Sequence, residues 1–185
     1  MNKKALVIVV CILLCLIVCV SVFGVGFKTK NGDKYAKYLE TSADAEDWMP
    51  SLDEVGDYKG IMITRKRIAN GLINSTHSVA LMLEYSSEAF EAECERLNDE
   101  YKFISNGYEC IEDYVAEVDG YEFRIVEGSL CTTTSTLGSR SWPKSCFLIG
   151  INHEQSKIAY LYHWDIELEE IEDLDAFVKR RYKLK

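Results

Sequence analysis

His77, His153 and His163 are the three imidazoles of this chain, and its seven cysteines are its thiols. A thiol nucleophile needs a base within hydrogen-bond reach and a third group to orient that base. Cys146 is the best-placed thiol, because His153 and His163 both fall in the hairpin predicted to contain it. No recognisable motif surrounds Cys146. The chain also lacks the G-x-S-x-G elbow of serine hydrolases, and it has no glycine-rich loop leading into a helix for phosphates. Metal chemistry has one lead. His163, Asp165 and Glu167 alternate, so an extended strand would aim them to one side, a donor set suited to zinc or manganese. A strand running into the acidic start of a helix explains the same three residues. Asp113, Asp119 and Glu127 do not match a calcium-binding EF-hand loop. Asn74-Ser75-Thr76 has the form of a glycosylation sequon. No catalytic, cofactor-binding or metal-binding residue is therefore assigned, and the expectation leans away from an enzyme.

The elements that would carry these residues follow from pattern. Asn70-Gly71 predicts a hairpin between Lys59–Ala69 and Leu72–Glu84, since a type I′ turn needs positive φ at both central residues. A two-residue turn there would set Ile68 opposite Ile73, Thr64 opposite His77 and Met62 opposite Val79. Arg65-Lys66-Arg67 is a basic run within this hairpin. A helix over about Ser87–Tyr101 is expected next, capped by Ser86 or Ser87, with Phe90, Cys94, Leu97 and Tyr101 as its buried stripe. A second hairpin, Tyr114–Val118 and Tyr121–Val126, turns at Asp119-Gly120. It sets Glu117 against Glu122, a pair tolerable only in water.

Gly128–Lys144 (GSLCTTTSTLGSRSWPK) reads as the longest irregular segment, with Arg140 and Trp142 available to a protein or polar ligand. Strands at Ser145–Asn152 and Lys157–Ile166 follow, the first apolar on both faces. A final helix over Glu167–Tyr182 buries Ile171, Leu174, Phe177, Val178 and Tyr182. The fold class expected is α+β: one antiparallel sheet of about six hairpin-connected strands, with two main helices over one of its faces.

Ala5–Phe27 (ALVIVVCILLCLIVCVSVFGVGF) holds no charge and no proline, and lysines flank it at 3, 4, 28 and 30. As a helix of about 1.5 Å per residue it would span a hydrocarbon core of about 30 Å. Residues 1–27 thus read as an N-terminal transmembrane anchor. A cleaved signal is the alternative, with Gly24-Val25-Gly26 supplying small residues before Phe27. The short basic flank favours an N-in, C-out orientation with the bulk of the chain outside the cell membrane. Cys11, Cys15 and Cys19 share one helical face, read as lipid-packing residues, with a dimer seam or acylation as the alternatives.

Residues 28–57 read as a stalk or lead-in, with Asp33–Glu40 as one or two helical turns and a polar stretch that packs Trp48 down. Residues 58–185 read as the extracytoplasmic domain. The first 30 residues hold four of the 21 basic residues and none of the 30 acidic ones, so the remainder carries a formal charge of −13. Such a domain repels phosphate backbones, and nucleic-acid binding is excluded on that ground. Of Cys94, Cys110, Cys131 and Cys146, the bridge that would close the Ser/Thr-rich segment is Cys131–Cys146. The function expected is a membrane-anchored, non-enzymatic interaction or ligand-binding domain at the cell envelope. A subunit of a larger membrane complex and an envelope hydrolase or thiol enzyme are the alternatives.

Overall fold

The computed structural model describes residues 25–42, 44–70, 74–106, 113–134, 141–164 and 173–182. Most of the Ala5–Phe27 segment, with Cys11, Cys15 and Cys19, lies outside them; its last three residues, Val25–Phe27, are strand and not helix, so the apolar run expected to span a membrane is shortened at that end, and no helix among the described residues is long and apolar enough to cross a membrane. The domain is α+β, built on one antiparallel sheet. Seven strands run along one hydrogen-bonded path: β1 (Val25–Thr29), β2 (Tyr58–Asn70), β3 (Asn74–Tyr85), then β8 (Lys157–Trp164), β7 (Ser141–Asn152), β5 (Tyr121–Ile125) and β4 (Val115–Val118). An eighth, β6 (Cys131–Thr134), pairs with the first part of β7, while β5 pairs with the same strand further along. Between the two, the Ser129 hydroxyl accepts from the Phe147 N–H at 3.0 Å and donates to the Val126 carbonyl at 2.7 Å. This buried side chain keeps the strand backbone satisfied where one neighbour replaces the other.

The helices cover both faces of the sheet, not one. Helices α1 (Gly32–Glu40) and α2 (Ser87–Glu100) pack with a short 3₁₀ turn, Ala45–Asp47, over Val79, Leu81, Leu83, Phe147, Ile149 and Tyr160. Helix α3 (Leu174–Arg181) covers the other face, over Ala80, Cys146, Leu148 and Leu161. A sheet buried on both sides needs apolar residues at successive positions, as in Val79–Leu83 of β3, Cys146–Ile149 of β7 and Ile158–Tyr162 of β8. The segment expected as a stalk packs onto the sheet instead. Tyr35 and Met49 are buried, the Tyr35 hydroxyl donates to the Pro50 carbonyl at 2.7 Å, and Trp48 rests against Phe147 at 6.3 Å between centroids.

The second hairpin forms as its sequence predicts. Asp119 (φ 52°) and Gly120 (φ 83°) occupy the left-handed region, and Glu117 pairs with Glu122. A Cβ on Gly120 would also stand 2.9 Å from Asn152 Nδ2. Phe123 lies over Gly150 of β7, where any side chain would overlap its ring. The first hairpin differs from expectation. Its register sets Met62 opposite Met82, Thr64 opposite Ala80 and Ile68 opposite Thr76, a shift of three residues that closes on Asn70 and Asn74. β3 is a central strand, paired with β2 on one side and β8 on the other, and these long ladders outweigh the local preference of Asn-Gly.

Helix α2 spans Ser87–Glu100, with the Ser86 hydroxyl accepting from Ala89 N–H at 3.3 Å, as a capping serine does. The 128–144 segment contains β6, so it is in part a ribbon with β7 and not wholly irregular. Residues 135–140 and 165–172 lie outside the described residues, and with them the first part of the expected final helix.

Candidate functional site

The thiol and imidazole singled out from sequence become direct neighbours. β7 and β8 pair Cys146 with His163, and β3 continues the row by pairing Ser78 with His163. The Ser78 hydroxyl lies 2.7 Å from His163 Nδ1, and the Phe177 ring of α3 meets the imidazole edge-on at 5.1 Å. Ser78, His163 and Cys146 thus form a line across three adjacent strands, with the residue types of a nucleophile, a base and an orienting hydroxyl. The line is closed: Cys146 and His163 are 0% exposed and α3 lies over them. His153 is not part of it. That residue sits in the exposed turn at the far end of the hairpin, edge-on to Phe90 at 5.4 Å.

The Cys131–Cys146 bridge is not formed, and Cys146 is a buried thiol. Cys131 is paired with Ser145, and successive residues of a strand face opposite sides of the sheet, so Cys146 does not face Cys131. Cys94, on the α2 stripe, is likewise a buried thiol, and burial pushes it up to about 11, with Glu91 and Glu93 adding to the effect. Asp165 and Glu167, the carboxylates of the expected metal lead, lie outside the described residues. Among the described residues no group of three or more His, Cys, Asp or Glu is placed to hold a metal.

On the opposite face, α2 carries a buried carboxylate that pattern reading passed over. Glu93 is 3% exposed. It accepts from the Tyr160 hydroxyl at 2.7 Å and from Arg96 at 2.7 and 3.0 Å, and the Gly56 backbone adds a further donor. Arg96 also pairs with Glu100. Burial raises the Glu93 pKa, but the hydrogen bonds from Arg96 and Tyr160 outweigh it and hold the carboxyl below its ordinary range. Tyr160 is pushed far up, first by burial and then by its neighbours Tyr85 and Glu93, so its hydroxyl stays a donor. With its lone pairs engaged, Glu93 ties α2 to β8 and has little capacity left for proton transfer. One signal in the sequence marks it: Glu93 stands three residues after Phe90 and four before Leu97, inside the apolar stripe.

Arg96 and Glu100 continue outward into an open groove of about 350 Å³ between α2 and the 3₁₀ turn. Trp48 and Tyr101 wall it, both half-buried against Phe147, which stacks on Tyr160 at 6.4 Å. Glu46, Asp47, Glu54 and Glu100 supply carboxylates around it, with Arg96 the single cation among its lining residues. Tyr101 is pushed up to about 12 by burial and by Glu100, so its phenol is neutral at ordinary pH. Aromatic walls with carboxylate acceptors suit a ligand that offers a flat or apolar body and cationic or hydroxyl donors. A second concavity of about 480 Å³, mixed in character, lies where Lys30, Met62, Met82, Tyr121 and Lys157 meet. No family model, no curated protein and no solved structure matches this chain.

Proposed function

We propose that this chain is a single-pass membrane protein of the cell envelope, anchored N-in, C-out by the apolar run that begins at Ala5 and ends before β1, whose α+β domain binds a ligand or partner and is not an enzyme. The observation that carries the reading is a contrast in access. The best thiol–imidazole pair is sealed in the core, whereas the Trp48–Tyr101 groove is open and lined with acceptors. The ligand class that fits the groove is a cationic one, such as a lysine- or arginine-bearing segment of a partner protein, with the 128–144 ribbon as a further contact. The groove is tested by titrating Trp48 fluorescence with a basic peptide and with a neutral oligosaccharide, in the wild type and in Trp48→Ala as the blank. Saturable quenching by the peptide that Glu46→Gln with Asp47→Asn weakens supports the reading, and no response to either probe sinks it. Address is tested separately, by carbonate extraction and protease accessibility of the full chain.

A thiol enzyme is the second reading, favoured by the Ser78–His163–Cys146 line alone. Its chemistry would need α3 displaced to admit a substrate. Cys146→Ser decides it: an unchanged cellular phenotype with an intact fold removes any role for the thiol.

A further inference from the structure

Arg65-Lys66-Arg67 is a basic run in an otherwise acidic domain, and the sheet gives it a location. β1 pairs Val25 with Arg67, Gly26 with Lys66 and Phe27 with Arg65. Residues 25–27 are the last three of the uncharged run that begins at Ala5. The apolar segment therefore joins the sheet with no linker, and three basic residues stand opposite the junction. Lys28, exposed and paired with Thr64, is one position further along. The Arg65 guanidinium lies over the Tyr38 ring at 5.1 Å, which holds one member of the run against α1.

The same register sets the direction of approach. β1 is antiparallel to β2, so the chain that precedes Val25 leaves the sheet in the direction in which β2 runs on from Arg67 to Asn70. That stretch of the β2–β3 ribbon extends three residues beyond the junction, about 10 Å. The row through the junction continues across the sheet as Arg67, His77, Trp164 and Ser145. The β6–β7 ribbon projects past it on the same end, from Thr132 paired with Pro143 to Thr134 paired with Ser141. Trp164, half-buried and edge-on to His77 at 5.8 Å, stands in that row, and tryptophan is a residue favoured at membrane interfaces. Trp164 stands two strands from Arg67, about 10 Å across the sheet.

We propose that the β1–β2 corner of the sheet docks on anionic phospholipid headgroups through Lys28, Arg65, Lys66 and Arg67, and so fixes the orientation of the domain on its membrane. This rests on the reading of the apolar run before Val25 as a membrane span. Charge supports the choice of lipid. Residues 31–185 carry a formal charge of −13 and are repelled by an anionic surface except at local basic patches, and this is the patch that adjoins the end of the apolar run.

The test uses the full chain reconstituted in vesicles of phosphatidylcholine, with and without phosphatidylglycerol, and with lipids brominated near the headgroup as quenchers. Trp48→Phe with Trp142→Phe leaves Trp164 as the reporter, and near-ultraviolet circular dichroism checks that each variant is folded. Docking predicts strong quenching of Trp164 in the anionic vesicles and weak quenching in the neutral ones. Each basic residue near an anionic surface contributes about 1 kcal/mol, so Lys66→Gln with Arg67→Gln lowers the ratio of docked to undocked domain about 30-fold. Raising salt from about 0.1 to 1 M shortens the screening length from about 10 to 3 Å and undocks the domain without extracting it. Quenching that is equal in both lipids, and unmoved by the double substitution, overturns the docking while leaving the anchor intact. Release of the chain by alkaline carbonate overturns the anchor, and the docking with it.

Discussion

On the face of the sheet under α3, His163 lies between Ser78 and Cys146 and is roofed by the Phe177 ring. On the face under α2, Glu93 lies among Tyr160, Arg96 and the Gly56 backbone, an ionised group surrounded by donors. Both centres are buried, and both have residue types that do chemistry elsewhere. They differ in what burial demands of them. A buried charge must be paired and fully hydrogen-bonded, so Glu93 recruits partners from α2, from β8 and from the chain before β2. A serine hydroxyl and a thiol can be buried at lower cost, and the backbone ladders bring Ser78 and Cys146 into line with His163. The Glu93 centre is therefore a tie between elements, whereas the His163 centre is a row within the sheet.

The largest way to break this contrast is Glu93→Ala. It leaves the Tyr160 hydroxyl without its acceptor and Arg96 with Glu100 alone, and costs about 3 kcal/mol in urea unfolding, the low end for removing one partner of a buried pair. Arg96 is 30% exposed and water recovers part of the loss. The same group sets an acid limb. The folded pKa of Glu93 is depressed, so its contribution is complete above the unfolded value of about 4.3 and is lost as pH falls through the lower, folded value. Glu93→Gln flattens that limb in unfolding midpoints measured as a function of pH, and a limb of unchanged slope would refute the assignment.

Ser78→Ala is the matching change on the other face. It removes the hydroxyl at His163 Nδ1 and costs about 1–2 kcal/mol in urea unfolding. Smallest is Asp175→Ala. The Asp175 carboxylate accepts from the Glu117 N–H at 2.9 Å and so caps the outer edge of β4 with the start of α3. Its loss costs about 0.5–1 kcal/mol, because the freed N–H is exposed and water replaces the acceptor. Hydrogen exchange at Glu117 rises in that variant while exchange in β7 and β8 does not.

Where the signal was local, the fold was legible. Ser86 and the Phe90–Cys94–Leu97 stripe marked α2, and Asp119-Gly120 marked the second hairpin in its observed register. Ser145–Asn152, apolar on both faces, marked a central strand. What escaped depended on distant partners. β6 has short polar residues and becomes a strand only because β7 offers it a free edge. Cys131 and Cys146 look like a loop-closing pair along the chain, yet a register of one residue separates them. For the candidate groove, Trp48 was expected to pack down, but nothing along the chain joined it to Tyr101 and Arg96. Those residues meet because Phe147 and Tyr160 provide a common floor.

By itself, then, the sequence determined the local half of this protein: its turns, its capped helix, its core strands, the acidic balance of the domain and the apolar run that precedes it. Hairpin turns and helix caps depend on φ preferences and hydrogen bonds among residues a few positions apart, which neighbouring side chains encode. Tertiary structure decided the β2–β3 register, the burial of Glu93, the alignment of Cys146 with His163 and Ser78, and the position of Arg65-Lys66-Arg67 beside residues 25–27. Each of these is a pairing across the sheet or between layers. A single pattern of alternation fits several registers, and only the summed ladders and packing on both faces leave one.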